Sequence, residues 1–206
     1  MKGKSYYLAP AYPVLFAGGA VLLEIVLMKK RLIWLKYAIP SLLLLTSIIV
    51  SPVWLPVLPV EKAKESGIMN YRYDYREMVG WTELVESVSE VYRTLPDEEK
   101  KKTEIITGNY GEAGSINHYG EKYGLPEASS GISSYYYWGP VNPEASTVIF
   151  VGYPDDYLNR YFSDVKVMGT ITNRYEIDNE EQGQLITLCR KPIKPLSELW
   201  EEFKHY

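Results

Sequence analysis

The run LAPAYPVLFAGGAVLLEIVLM, Leu8–Met28, holds one ionisable residue, Glu24, and the run YAIPSLLLLTSIIVSPVWLPVLP, Tyr37–Pro59, holds none. Each is near the ~20 residues that a helix needs to cross ~30 Å of hydrocarbon. Between them MKKRLIWLK carries Lys29, Lys30, Arg31 and Lys36. A short basic loop of this kind belongs on the cytoplasmic side of a bilayer, which places both the N-terminus and the long C-terminal tail outside. Trp34, Tyr37 and Trp54 fall near the ends of the second run, where amphipathic rings settle at headgroup depth. A cleaved signal peptide is a poorer reading, because its charges precede the apolar run and no second run follows. The first expectation is therefore a transmembrane helical hairpin over residues 1–59.

Within that hairpin Gly18-Gly19-Ala20 offers a small-residue face for another helix, and Glu24 must be shielded or reach the interface. Snorkelling of Glu24 toward the cytoplasmic end is favoured over an ion or substrate contact. Pro40, Pro52, Pro56 and Pro59 each remove a backbone donor, so the second helix is expected to kink or unwind toward its outer end.

Overall averages conceal this division. The 206 residues are 46% hydrophobic and 23% charged, with a net charge of -4. Residues 1–59 carry six Lys or Arg and one Glu, and residues 60–206 carry the remaining sixteen and twenty-five. An acidic tail without basic patches excludes a nucleic-acid partner. Residues 60–76, EKAKESGIMNYRYDYR with the valine before it, read as a linker in which Tyr71, Tyr73 and Tyr75 alternate, as in an edge strand or a headgroup contact.

Residues 77–206 read as an α/β domain. In GWTELVESVSEVYRTLP the residues Trp81, Leu84, Val85, Val88 and Tyr92 recur at helical spacing, which predicts an amphipathic helix ending before Pro96. The charged DEEKKK stretch that follows reads as a solvated turn. Strands are expected at Thr103–Gly108, Ser146–Gly152, VKVMGTIT and QLITLCRK, with an extended stretch near Pro126–Ser130. Helices are expected at Glu112–Tyr123, at Asp155–Ser163 and in the final LSELWEEFKHY. Strands separated by helical lengths predict a three-layer α/β domain with a largely parallel sheet.

Residues able to carry chemistry are few. Cys189 is alone and lies in a strand, where a buried structural thiol is expected. His118 and His205 lack partners at ligand spacing, so no zinc site, and no metal or cofactor, is expected. Gly108, Gly111 and Gly114 follow a strand, but their GxxGxxG spacing matches no nucleotide fingerprint. Glu112, the acid in that turn, repels phosphate while suiting a sugar hydroxyl or the helix dipole. Tyr135, Tyr136, Tyr137 and Trp138 follow a Gly/Ser-rich loop, and with Asn117, His118 and Asn142 nearby they suit a glycan, Tyr136, Tyr137 and Trp138 being the expected contacts. Packing of those rings onto the sheet or a membrane surface is the competing reading. No catalytic residue is assigned.

Four runs, GKSYYLAPAYPVLFAGGAVLLE, GWTELVESVSEVYRTLP, YGEAGSINHYGEKYGLPEASSGISSYYYWGP and LCRKPIKPLSELWEEFK, together resemble the C-terminal portion of bacterial membrane glycosyltransferases related to family 39. These are relatives of the protein O-mannosyltransferases and the lipid A aminoarabinose transferases. The resemblance implies a transferase that takes a sugar from a polyprenyl-phosphate donor on the extracytoplasmic side of the inner membrane. It implies a catalytic carboxylate in an N-terminal half that carries most of the membrane helices, so this chain is expected to act with that half and not alone. It also implies that Lys4, with Tyr6 and Tyr7, faces the donor phosphate. Expected partners are membrane lipid, the lipid-linked sugar and the helices of that other half. The alternative is a membrane-tethered glycan- or protein-binding α/β module.

Overall fold

The computed structural model describes residues 5–29 and 32–205. The chain separates into two compact units, Met1–Leu58 and Pro59–Tyr206.

In the first unit a 3-10 segment, Ser5–Ala11, leads into helix α1 (Tyr12–Lys29), and α2 (Leu35–Trp54) follows. Both stretches are long and apolar enough to cross a membrane by length and composition. Their side chains are almost all exposed, including Phe16, Leu22, Leu44 and Ile48. A continuous apolar surface of this kind needs lipid or protein against it. The hydroxyls of Thr46, Ser47 and Ser51 donate to carbonyls three or four residues earlier, an arrangement that leaves no unpaired donor in an apolar surround. Glu24 neither dangles nor stands alone, since its Oε1 lies 2.9 Å from Lys36 Nζ on the facing helix. Its neutralising partner thus comes from within the hairpin. The helix tolerates Pro40 and Pro52 but stops at Trp54, and Leu55 is extended (φ -110°, ψ 137°) just before Pro56. Unwinding at the expected end follows from the lost donors.

The second unit holds a five-stranded sheet in the order β2-β1-β3-β5-β4. The strands are β1 (Thr103–Thr107), β2 (Ala128–Ser130), β3 (Thr147–Val151), β4 (Phe162–Thr170) and β5 (Leu185–Pro192). β1 pairs parallel with β2 and β3, whereas β5 runs antiparallel to both β3 and β4. The expectation of a largely parallel sheet is therefore corrected to a mixed one. The reason is local: no helix separates β4 from β5, so the chain returns as a hairpin, and only helical crossovers make neighbours parallel.

Alternate residues of the central strands divide between two apolar clusters. Ile105, Ile149, Val151, Ile186 and Leu188 pack with Leu84, Val85, Val88, Ala113 and Ile116. Ile106, Val148, Phe150 and Cys189 pack with Leu158, Leu196, Leu199 and Phe203. Every residue of β1 and β3 is buried, as their unalternating sequences require. Helix α6 (Trp81–Arg93) presents the face read from its periodicity, and Leu84, Val85 and Val88 are completely buried. Truncating Leu84 to alanine there costs about 2–5 kcal/mol. Cys189 is buried as expected, and burial pushes its thiol up to about 12, which leaves it inert.

The remaining elements are α3 (Val60–Glu65), α4 (Ile68–Tyr71), α5 (Tyr73–Arg76), α7 (Asp97–Lys100), α8 (Tyr110–Tyr119), α9 (Ser133–Trp138), α10 (Asp155–Leu158) and α11 (Leu196–Leu199). Three stretches of the chain differ from expectation. Residues 60–76 form three short helices rather than an extended segment, and Ala63, Met69 and Tyr75 build a third cluster with Val79 and Ile177. Tyr75 is buried while Tyr71 and Tyr73 are exposed, so the alternating tyrosines do not share a strand face. The helix expected at Asp155–Ser163 stops at Leu158, because Phe162 already enters β4 and the second cluster. A helix, α9, occupies part of the Gly/Ser-rich loop.

Candidate functional site

The parallel strands β2, β1 and β3 end side by side at Ser130, Thr107 and Val151. From β1 the chain enters α8, which packs in the first cluster, and from β3 it enters α10, which packs in the second. The connections thus diverge between β1 and β3, and such a switch point opens a crevice at the carboxyl ends of the strands.

Asn109 opens α8 with a capping box. Its Oδ1 accepts from Gly111 N at 2.6 Å, and Glu112 Oε2 accepts from Asn109 N at 3.1 Å. Glu112 thus occupies the first turn of α8 as a capping residue. Glu112 is completely buried, and its Oε1 has no hydrogen-bond partner. Burial, reinforced by Glu181, pushes its carboxyl up to about 8, so it carries a proton near neutrality. Gly152 is required beside it, because its φ is +75° and a Cβ there would lie 2.5 Å from Gln184 Oε1 and 3.3 Å from Glu112 Oε1.

Three further groups gather around this acid. Tyr153 is buried with an unpartnered hydroxyl, and burial pushes its phenol upward. His205 Nε2 lies 2.9 Å from Gly108 O, and the His205 ring stands edge-on to Tyr153 at 5.8 Å. Gln184 Oε1 is unpartnered. The C-terminal residues close this edge, since His205 N donates to Gly131 O at 3.1 Å and Phe203 packs on Tyr153. The group supplies a proton-bearing carboxyl, a phenol and an amide. Glu112 and Tyr153 are both shut away from solvent, and no nucleophile with an adjacent base accompanies them among the described residues.

Next to it lies an acidic cluster. Ligand oxygens of Glu77, Glu180 and Glu181 all fall within 4.8 Å of one another. Tyr73 Oη donates to Glu180 Oε1 at 3.0 Å, and Asn109 Nδ2 reaches Glu180 Oε2 at 3.5 Å, linking the cluster to the α8 cap.

A pocket of about 380 Å³ is lined by Asn117, Glu127, Ser129, Tyr135, Trp138 and Val141, among others. Trp138 is 71% exposed, and its ring lies 4.7 Å from that of Tyr135. The floor is fixed by Glu104, a buried acid whose carboxylate accepts from Ser129 Oγ (2.6 Å), Val141 N (3.0 Å) and Asn142 N (2.8 Å). Asn117 holds the Ala128 backbone through both amide atoms.

The sequence-derived residues thus separate. Trp138 and Asn117 line this pocket, and Tyr137 is exposed at its own position, 5.5 Å from Tyr136. Tyr136 belongs to the second apolar cluster, stacked on Trp200 at 5.9 Å with Lys204 Nζ 4.5 Å above its ring. Tyr135, the first ring of the same aromatic run, lines the pocket in its place. Neighbouring residues of a helix point about 100° apart, so a run of aromatics cannot share one wall. His118 pairs with Tyr119 instead, and Asn142 Nδ2 reaches Lys101 O. Tyr7 lies exposed in the 3-10 segment, whereas Lys4 and the side chain of Tyr6 lie outside the described residues. No family model, curated protein or solved structure matches the chain.

Proposed function

We propose that this chain is the C-terminal part of a membrane glycosyltransferase that moves a sugar from a polyprenyl-phosphate donor to an extracytoplasmic acceptor. The observation that carries this reading is the aromatic pocket at Tyr135 and Trp138, because the exposed face of Trp138 beside the Glu127 carboxylate and the Asn117 amide suits a sugar ring. All of its lining except Val141 lies in Tyr110–Pro140, the longest of the runs on which the family resemblance rests. The apolar exposed helices support a multi-pass placement in the inner membrane, packed against helices from a companion half. The two apolar clusters on alternate strand residues support helix layers on both faces of an extracytoplasmic domain.

In this reading an acceptor hydroxyl displaces polyprenyl phosphate at the anomeric carbon, with a carboxylate of the companion half taking the hydroxyl proton. Lys4, Tyr6 and Tyr7 face the donor phosphate, while the α/β domain holds the sugar or acceptor and supplies no base. Co-expression with a companion N-terminal half restores sugar transfer to membranes, and the W138A variant weakens it. Transfer that persists after deletion of residues 1–59 refutes the reading.

The aromatic pocket also favours a second reading, a membrane-tethered module that binds glycan without transferring it. Saturable glycan binding, abolished in W138A, with no transfer in the presence of any companion half selects this alternative.

A further inference from the structure

The sparse histidines and the single cysteine argue against zinc, but they say nothing of cations that prefer oxygen. Glu77 follows α5, and Glu180 and Glu181 lie in the 171–184 loop between β4 and β5. That loop is internally fixed. Asn173 is buried and binds Ile177 O, Ile177 N and Gln182 Oε1, while Asn179 Nδ2 donates to Val79 O at 2.8 Å and reaches Arg76 O at 3.3 Å. The turn bearing Glu77 and the loop bearing the other two acids are thereby held against each other.

The decisive group is Glu181. It is only 5% exposed, and neither of its carboxylate oxygens has a hydrogen-bond partner. A buried, doubly unsatisfied carboxylate is costly unless something positive faces it. Arg76 acts electrostatically on Glu77 but makes no hydrogen bond to any of the three acids: its guanidinium lies 5.0 Å over the Tyr73 ring and reaches Asp178 O at 3.5 Å. Glu181 instead shares its space with the other two carboxylates.

We propose that Glu77, Glu180 and Glu181 form a calcium site. Oxygens bound to one Ca²⁺ at ~2.4 Å lie at most ~4.8 Å apart, whereas those on Mg²⁺ at ~2.05 Å lie within ~4.1 Å. No two of the three oxygens lie more than 4.8 Å apart, within the span of one Ca²⁺, and calcium accepts irregular carboxylate sets where magnesium demands near-ideal octahedral geometry. Carboxylates alone, without nitrogen or sulfur ligands, select a hard cation, and water completes the shell. Bound there, the ion ties the β4–β5 loop to the start of α6 and stands next to the Asn109 cap. The site is independent of the proposed transferase activity and of any placement in lipid.

The test is calorimetric titration of CaCl₂ and MgCl₂ into the full chain, purified in mild detergent and stripped with a chelator. Calcium should bind with a Kd on the order of 0.1–1 mM, as in extracellular calcium modules, and more tightly than magnesium. It should also raise the melting temperature. E181Q should weaken binding at least about tenfold, and E180Q, a change at an exposed residue, should weaken it severalfold without loss of folding. No heat and no thermal shift at 10 mM calcium would overturn the assignment. So would unaltered binding in E180Q, or an E181Q protein that melts higher than the parent and still binds calcium with parental affinity.

Discussion

Replacing Glu112 by glutamine, E112Q, removes a proton-binding site while keeping the shape and one acceptor oxygen for the Asn109 amide. Glu112 is completely buried, and its carboxyl stands at about 8 in the fold against an ordinary 4.5. Because the folded value is the higher one, the folded chain keeps a proton that the unfolded chain releases. Stability therefore falls as pH rises from about 4.5 to about 8 and levels off above that. The full gap corresponds to at most about 5 kcal/mol at ~1.4 kcal/mol per tenfold, and relaxation around the charge reduces this to roughly 2–3 kcal/mol. E112Q should match the parent near pH 5 and exceed it by that amount above pH 8, a rise in melting temperature of roughly 5–10 °C. Glu181, raised by burial and by Glu77 to about 7, leaves a smaller residual slope in both proteins. Thermal unfolding of the full chain in mild detergent, followed by near-ultraviolet circular dichroism at pH 5, 6.5 and 8, measures the difference. If E112Q is destabilised equally at all three values, the carboxyl is ionised in the fold and the argument fails.

Two further substitutions probe the aromatic loop and the closed edge. Tyr136→Ala should cost about 3 kcal/mol, because that ring is stacked on Trp200, whereas Trp138→Ala should change stability by less than about 0.5 kcal/mol. Urea unfolding distinguishes them, and equal effects would mean that both rings serve the same purpose. Gly131→Ala places a Cβ 1.8 Å from Phe203 O, a backbone atom that cannot step aside cheaply. The bridge between Ile132 and His205 should part, and residues 200–205 should become accessible to carboxypeptidase. An undigested C-terminus in that variant would contradict the packing described.

Much of the domain was legible because burial leaves a strong local signature. VIFVG has no polar alternation and became the central β3, and the spacing of Leu84, Val85 and Val88 marked the buried face of α6. Strand direction leaves no such signature, so the mixed sheet was missed. A clue was present: VKVMGTIT and QLITLCRK follow one another with no helical length between them, which forces a hairpin. Residues 60–76 misled because tyrosine serves both strands and partly buried helices. The candidate crevice was half legible. Glu112 was identifiable as the acid in its turn, but its burial depends on Tyr153, Gln184 and His205, which arrive from 41, 72 and 93 residues away in sequence. The three glutamates converge through long-range pairing as well, and their own stretches carry no ligand spacing.

The third apolar cluster has a practical consequence for handling the domain free of its greasy leader. Trimming the gene at Glu77, where the composition turns globular, discards Ala63, Met69 and Tyr75 and leaves Val79 and Ile177 uncovered. Such a product should be sticky and prone to precipitate. Beginning at Pro59 instead retains all five side chains together, one residue beyond the last of the apolar unit.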